Sequence, residues 1–175
     1  TAMRLFYEKG YEKTSISDIA KEMQVAQGLF YRYFPSKEIL FETAIEQYAR
    51  KQVAQMTSIL DTSHKTLLQI VEQMPTFIEA EQEDSYMKKI FHGAGSQEIH
   101  MRLSMSICSK MQPIVEQLLQ DANERGETQI SDPEAAASFC VYGQLGILLD
   151  QSIPREERVR RIKKFLTEVL RKFQK

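Results

Sequence analysis

Helix punctuation crowds into the first 37 residues, and it limits what this chain can fold into more than any other feature. Gly10, the pair Ser15-x-x-Asp18 and the step Pro35-Ser36 cut this stretch into three segments. Each carries apolar residues three and four apart, the spacing of one helix face, and none exceeds a few turns. Gly10 suits a helix C-terminus because glycine tolerates positive φ. Ser15 and Asp18 form a capping-box-like pair, with aspartate in the usual glutamate place, opening a helix through Ile16, Ile19, Ala20 and Met23. A third short helix, roughly 26–34, ends before Pro35, and Ser36 caps a fourth that runs from Lys37 toward Leu60. The first segment has a stripe through Ala2, Leu5 and Phe6 but no N-terminal cap, so its beginning is expected upstream of Thr1.

The remainder repeats this pattern at greater length. Helices are expected at roughly 65–83, 85–91, 97–125, 133–151 and 155–174, separated by Gly93-Ala94-Gly95, Gly126 and Pro154. Asp132-Pro133 is a start signal, an N-cap followed by proline at the first helical position. Pro75 and Pro113 fall inside apolar-periodic stretches and are expected to kink them. Strand-like alternation is absent, so the fold class is all-α.

Charge is informative in its distribution. The 175-residue chain has a net charge of -1, so any nucleic-acid contact must be local. Residues 1–50 balance seven basic against seven acidic residues, 51–153 carry seven against fourteen, and 154–175 carry nine against three. Cys108 and Cys140 are far apart and follow no signal-peptide pattern, which suits reduced thiols and a cytoplasmic location. The longest apolar run, 135–149, is too short for a bilayer, so no membrane span is expected. His64, His92 and His100 match no metal-ligand spacing, and no glycine-rich phosphate loop follows a strand. No metal, cofactor or enzyme chemistry is therefore expected.

The stretch QGLFYRYFPSK, Gln27 to Lys37, concentrates four aromatic residues and two cations. On a helical wheel Phe30 and Phe34 share a face, Tyr31 and Tyr33 flank it, and Gly28, Leu29 and Arg32 lie opposite. Anchored by the phenylalanines on Ile19, Ala20, Met23 and Val25, this helix keeps one face free. A short helix, a tight connection and a second short helix with an exposed face make a helix-turn-helix, whose second helix fits the DNA major groove. Tyrosine hydroxyls can then reach phosphates, the glycine permits close approach, Gln27 can pair with adenine and Leu29 can touch a thymine methyl. Lys37 adds a cation in a helix's first turn, where it opposes the macrodipole unless a phosphate sits there.

The span TSISDIAKEMQVAQGLFYRYFPSKEILFETAI, Thr14 to Ile45, resembles the DNA-binding signature of the tetracycline-repressor (TetR) family of transcriptional regulators. The resemblance implies an N-terminal three-helix helix-turn-helix domain, residues 1–46, followed by a larger helical ligand-binding and dimerisation domain, residues 47–175. It implies that Gln27, Gly28 and Leu29 approach bases, that Tyr31 and Tyr33 meet phosphates, and that Thr14 and Lys37 bond the DNA backbone. Ala26 stands where the family usually has a serine or threonine N-cap, Gln24 where it usually has glycine, and Leu29 where it commonly has a small or polar residue. The family's basic arm before the first helix is not in this sequence.

In the C-terminal part, one helix places Ala136, Cys140, Gly143 and Ile147 on a stripe rich in small residues, and the last helix carries a seam through Val159, Ile162, Leu166, Val169 and Phe173. Two such helices per chain suit a four-helix interface between two copies, as the resemblance also implies. The long helix from Gln97 has a core stripe through Leu103, Ile107, Met111, Val115 and Leu118 and a second through Met101, Met105 and Cys108. With Met74, Phe77, Ile78, Met87, Phe91, His100, Tyr142 and Gln144, that second stripe is a candidate effector pocket, ordinary core being the alternative. The expected protein is a homodimeric repressor released from a palindromic operator on double-stranded DNA by a small apolar or amphipathic effector. The alternatives are a regulator or activator without a small-molecule ligand, and an all-α carrier or enzyme.

Overall fold

Local capping decides where the first helices begin and end. Ser15 Oγ accepts the Asp18 backbone N–H at 3.0 Å while Asp18 Oδ2 accepts the Ser15 backbone N–H at 3.0 Å, so both halves of the capping box are made. The protein, seen here as a computed structural model, is described over residues 1–58, 60, 65–73 and 97–174. Helices account for its regular structure there: α1 (Ala2–Lys9), α2 (Ile16–Glu22), α3 (Gln27–Tyr33), α4 (Lys37–Ser58), α5 (Leu67–Gln73), α6 (Gln97–Glu124), α7 (Pro133–Tyr142), α8 (Leu145–Leu148) and α9 (Arg155–Arg171). The fold is all-α, with one isolated antiparallel bridge between Thr128 and Gln174 among the described residues.

The chain divides into two compact units, Thr1–Lys51 with Asp84–Ser106, and Gln52–Glu83 with Ile107–Lys175. In the first, Phe6 is fully buried and meets Phe41 edge-on at 5.1 Å, with the Tyr11 ring 4.8 Å from Phe41. Leu5, Ile16, Ile19, Phe30, Leu40 and Ile45 complete this core. Gly10 adopts φ 84°, which is why glycine ends α1. Arg4 pairs with Glu8 at 3.0 Å and also with Glu22, tying α1 to α2.

In the second unit Leu67 and Ile70 of α5 pack with Leu118, Leu119 and Ala122 of α6, Ala137 of α7 and Leu170 of α9. Gly126, at φ 73°, ends the turn after α6, and Asn123 organises it by donating to Ile130 O at 2.7 Å and accepting the Ile130 N–H at 3.0 Å. Asp132 caps α7 by accepting the Ala135 N–H at 2.9 Å, with Pro133 in the first turn as expected. Pro113 lies inside α6, which continues through it.

Two expectations change. A single helix over 133–151 is replaced by α7 and α8, because Gly143 and Gln144 interrupt it: Gln144 O starts a new helix by accepting the N–H groups of Ile147 and Leu148. Met23, assigned to the buried face of α2, caps its C-terminus and is exposed. The helix expected at 85–91, most of the second half of that at 65–83, Pro75, His64, His92 and Gly93-Ala94-Gly95 lie outside the described residues.

Candidate nucleic-acid interface

The turn between α2 and α3 is held by backbone bonds, Val25 N–H to Ala20 O at 3.0 Å and Gln24 N–H to Lys21 O at 3.1 Å. Turning the chain this tightly places Gln24 at φ 56°, in the left-handed region that glycine would enter without strain. Ala26 then occupies the N-cap of α3 and makes no side-chain cap bond, so the first turn of α3 relies on backbone alone.

Burial separates the two faces of α3. Phe30 is buried against the first unit's core, its ring 5.4 Å from that of the half-buried Phe34. Facing away are Gln27, Gly28 and Leu29, the last 47% exposed, with Tyr31 at 48% and Tyr33 at 67% on the flanks. A β-carbon built on Gly28 would meet nothing within 4 Å, so nothing in the protein itself requires glycine there. Ser17 donates to Gln27 Oε1 at 3.3 Å. This positioning contact between α2 and α3 escaped the sequence reading, since a serine ten residues upstream carries no periodic signal.

Thr14, Tyr31 and Lys37 come together beside α3, lining with Lys13, Ser15 and Ser36 a concavity of about 410 Å³. Their side chains are not equally available. Thr14 is buried and its hydroxyl lies 2.8 Å from Gly10 O and 3.0 Å from Leu5 O, fastening the turn after α1. Lys37 Nζ donates to Tyr11 O at 3.0 Å and reaches Glu12 O at 3.4 Å, over the Tyr11 ring at 4.3 Å. The phosphate expected to relieve this cation in the first turn of α4 is thus matched by backbone carbonyls of the turn before α2. Tyr11 donates to Glu38 Oε1 at 3.0 Å, and burial with that acceptor pushes its phenol up to about 12. Ser36 Oγ accepts the Ile39 N–H at 3.3 Å, the cap read from the sequence.

Residues 1–44 match the family described as bacterial regulatory proteins, tetR family. Residues 1–44 therefore carry the sequence of a TetR-family N-terminal DNA-binding domain. The Bacillus subtilis HTH-type transcriptional regulator YuxN is 44% identical over 59 residues, 34% of this chain and 20% of that one. The match therefore spans about a fifth of that relative's length. A TetR-family regulator from Mesorhizobium loti shares the fold over 99% of this chain and 93% of its own, with a TM-score of 0.68 at 19% identity. The flavonoid-responsive regulator FrrA superposes over 99% of this chain and 94% of its own, at a TM-score of 0.62 and 25% identity.

The other candidate residues differ in burial. Among the expected pocket residues, His100 and Cys108 are buried, Met101 and Met105 are exposed, and Tyr142 and Gln144 are half-buried; Met74, Phe77, Ile78, Met87 and Phe91 lie outside the described residues. Cys108 Sγ donates to Val141 O at 3.7 Å, and burial pushes its thiol up to about 12. Along the expected dimer faces, Ala136, Cys140, Ile147, Val159, Leu166 and Val169 are half-buried, Gly143 and Phe173 are exposed, and Ile162 is buried within the chain. Among the described residues of the second unit, the large apolar side chains most open to solvent are Phe139 on α7, 81% exposed, and Phe165 on α9, 60% exposed. Sequence reading passed over both, although Phe139 lies within the stripe of Ala136 and Gly143 and Phe165 borders a seam already filled by Ile162 and Leu166. Among the described residues no helix is long and apolar enough to cross a membrane, and no cluster of metal-ligating side chains occurs.

Proposed function

We propose that this TetR-family chain is a homodimeric, DNA-binding transcriptional repressor of the cytoplasm, with residues 1–46 as its DNA-binding domain and 47–175 as its ligand-binding and dimerisation domain. A small apolar or amphipathic effector releases it from a palindromic operator. The observation that carries DNA binding is the outward face of α3, where Gln27, Gly28 and Leu29 are exposed along with Tyr31 and Tyr33 while Phe30 holds the helix down. Base edges are read by the first three and phosphates by the tyrosine hydroxyls. Thr14 and Lys37 serve this interface by fixing the turn before α2, whose exposed backbone and Lys13 stand beside Tyr31. Dimerisation is supported by Phe139 and Phe165, which a monomer would leave in water. Effector response is supported by the likeness to the flavonoid-responsive regulator FrrA. Such release requires that the effector bind the DNA-free geometry more tightly than the DNA-bound one.

The test is a genomic duplex selection followed by fluorescence anisotropy at fixed salt. Tyr31→Phe with Tyr33→Phe is expected to weaken binding to all retained duplexes, and Leu29→Ala to change the ranking among them. Unchanged affinity in the double tyrosine variant would remove the assigned phosphate contacts.

A further inference from the structure

Gln27 opens α3, and one hydrogen bond limits what its amide can offer a ligand. Ser17, exposed in the first turn of α2, donates through Oγ to Gln27 Oε1 at 3.3 Å. Among the described residues neither side chain makes another hydrogen bond. Ser17 takes no part in capping α2, which Ser15 and Asp18 complete between them. Nor is α3 capped by its own side chain, because Ala26 has no acceptor to give. The bond to Ser17 is thus a side-chain tie at the start of α3, and it crosses the turn that Gln24 makes at φ 56°. A carboxamide accepts at its oxygen and donates twice at its nitrogen. With the oxygen engaged by Ser17, the two N–H groups are what remains for a base.

We propose that Ser17 is a specificity-determining positioning residue, which turns Gln27 from a reader of adenine into a donor that prefers guanine. This rests on the reading of α3 as the DNA-contacting helix and adds the base that the site selects. In the major groove adenine shows an acceptor at N7 and a donor at N6, and glutamine matches both only when its oxygen and nitrogen face the base edge together. The Ser17 hydroxyl competes for that oxygen and holds the plane of the amide. Guanine shows two acceptors, N7 and O6; thymine shows one, O4; cytosine shows a donor alone. A side chain that offers N–H groups therefore ranks guanine first and cytosine last. Ser17 does this without touching DNA, since its hydroxyl hydrogen is committed to Gln27. The bond is long for a hydroxyl donor and lies between two exposed side chains, so it acts on the ranking of bases and adds little to stability.

Fluorescence anisotropy of the full chain on selected duplexes, at fixed salt, tests it. The position read by Gln27 is the one whose base preference disappears in Gln27→Ala, and all four base pairs are then compared there. Wild type is expected to bind guanine about tenfold tighter than adenine, the discrimination of one good base contact. Ser17→Ala is expected to raise adenine relative to guanine by about tenfold, with the ranking at other positions and urea unfolding unchanged. Ser17→Thr, which keeps the hydroxyl, is expected to keep the wild-type ranking. In a Gln27→Ala background Ser17→Ala is expected to change nothing, because Ser17 acts through Gln27. Adenine preferred by the wild type, an unchanged guanine-to-adenine ratio in Ser17→Ala, or the same shift without Gln27 overturns the proposal and leaves DNA binding by α3 intact. A Gln27→Ala variant that alters no position removes base reading by Gln27, and with it both this proposal and that part of the function proposed above.

Discussion

At Gln24 a side chain occupies backbone space that favours glycine. Its φ of 56° is set by the turn that brings α3 across α2, and an L-residue there is destabilised by roughly 1 kcal/mol relative to glycine. Gln24→Gly is therefore expected to raise stability by about 0.5–1 kcal/mol, read from urea unfolding, with no change in the exposed face of α3. Ala26→Ser addresses the other local weakness, since an added hydroxyl at the N-cap typically contributes about 1 kcal/mol. Gly28 separates folding from contact. Because a β-carbon there meets only open space, Gly28→Ala is expected to stabilise α3 by up to about 1 kcal/mol on helix propensity. Its affinity for DNA is expected to fall, because the methyl group stands between the backbone and the groove. A variant that is stabler and binds as well would show that the glycine is not at the interface.

At the scale of the element, the first turn of α9 shows how charge is used. Glu157 accepts hydrogen bonds from Arg160 at 2.7 Å and Arg161 at 2.8 Å, and these hold its carboxyl at about 2 instead of the ordinary 4.5. A depressed carboxylate contributes stability that is complete above its unfolded value and lost as pH falls through its folded one. The stability difference between wild type and Glu157→Gln should thus be flat above about pH 5.5, shrink from about pH 4.5 downward, and be small near pH 2. Both arginines are exposed and Glu157 is only half-buried, so added salt should shrink the difference at every pH. Elements of this kind were legible in the sequence, because both partners sit within one turn: the Ser15–Asp18 box, the Asp132-Pro133 start and the Ser36 cap all formed where the spacing put them. The break after α7 was not legible, since Gly143-Gln144 between apolar residues reads as continuing helix until Gln144 O begins a second one. Lys37 shows the same limit. The macrodipole correctly says that its charge needs a partner, but Tyr11 O lies 26 residues upstream, beyond any local pattern. The free face of α3 was legible because Phe30 and Phe34 recur at helical spacing, whereas the anchoring of Gln27 by Ser17 depends on how two helices meet.

For the whole molecule, periodicity marks which faces are apolar without saying what covers them. Of the expected dimer seam of α9, Ile162 is buried inside the protomer, while Val159, Leu166 and Val169 are half-buried. Phe165, one residue from that seam, is the side chain left in water, and Phe139 is its counterpart on α7. Burying a phenylalanine against a second copy contributes on the order of 2 kcal/mol per side chain, and a twofold interface uses each residue twice. Phe139→Asp with Phe165→Asp is therefore expected to shift the proposed dimer to monomer at micromolar concentration in sedimentation equilibrium, leaving helix content unchanged because neither ring packs into the protomer core. Affinity for a single half-site should be kept and the gain from a second half-site one helical turn or a multiple away should disappear, since that gain is an effective-concentration effect of joining two recognition helices. A double variant that sediments as the wild type does would locate self-association on another face, and one that loses half-site binding as well would tie α7 and α9 to the integrity of the DNA-binding unit itself.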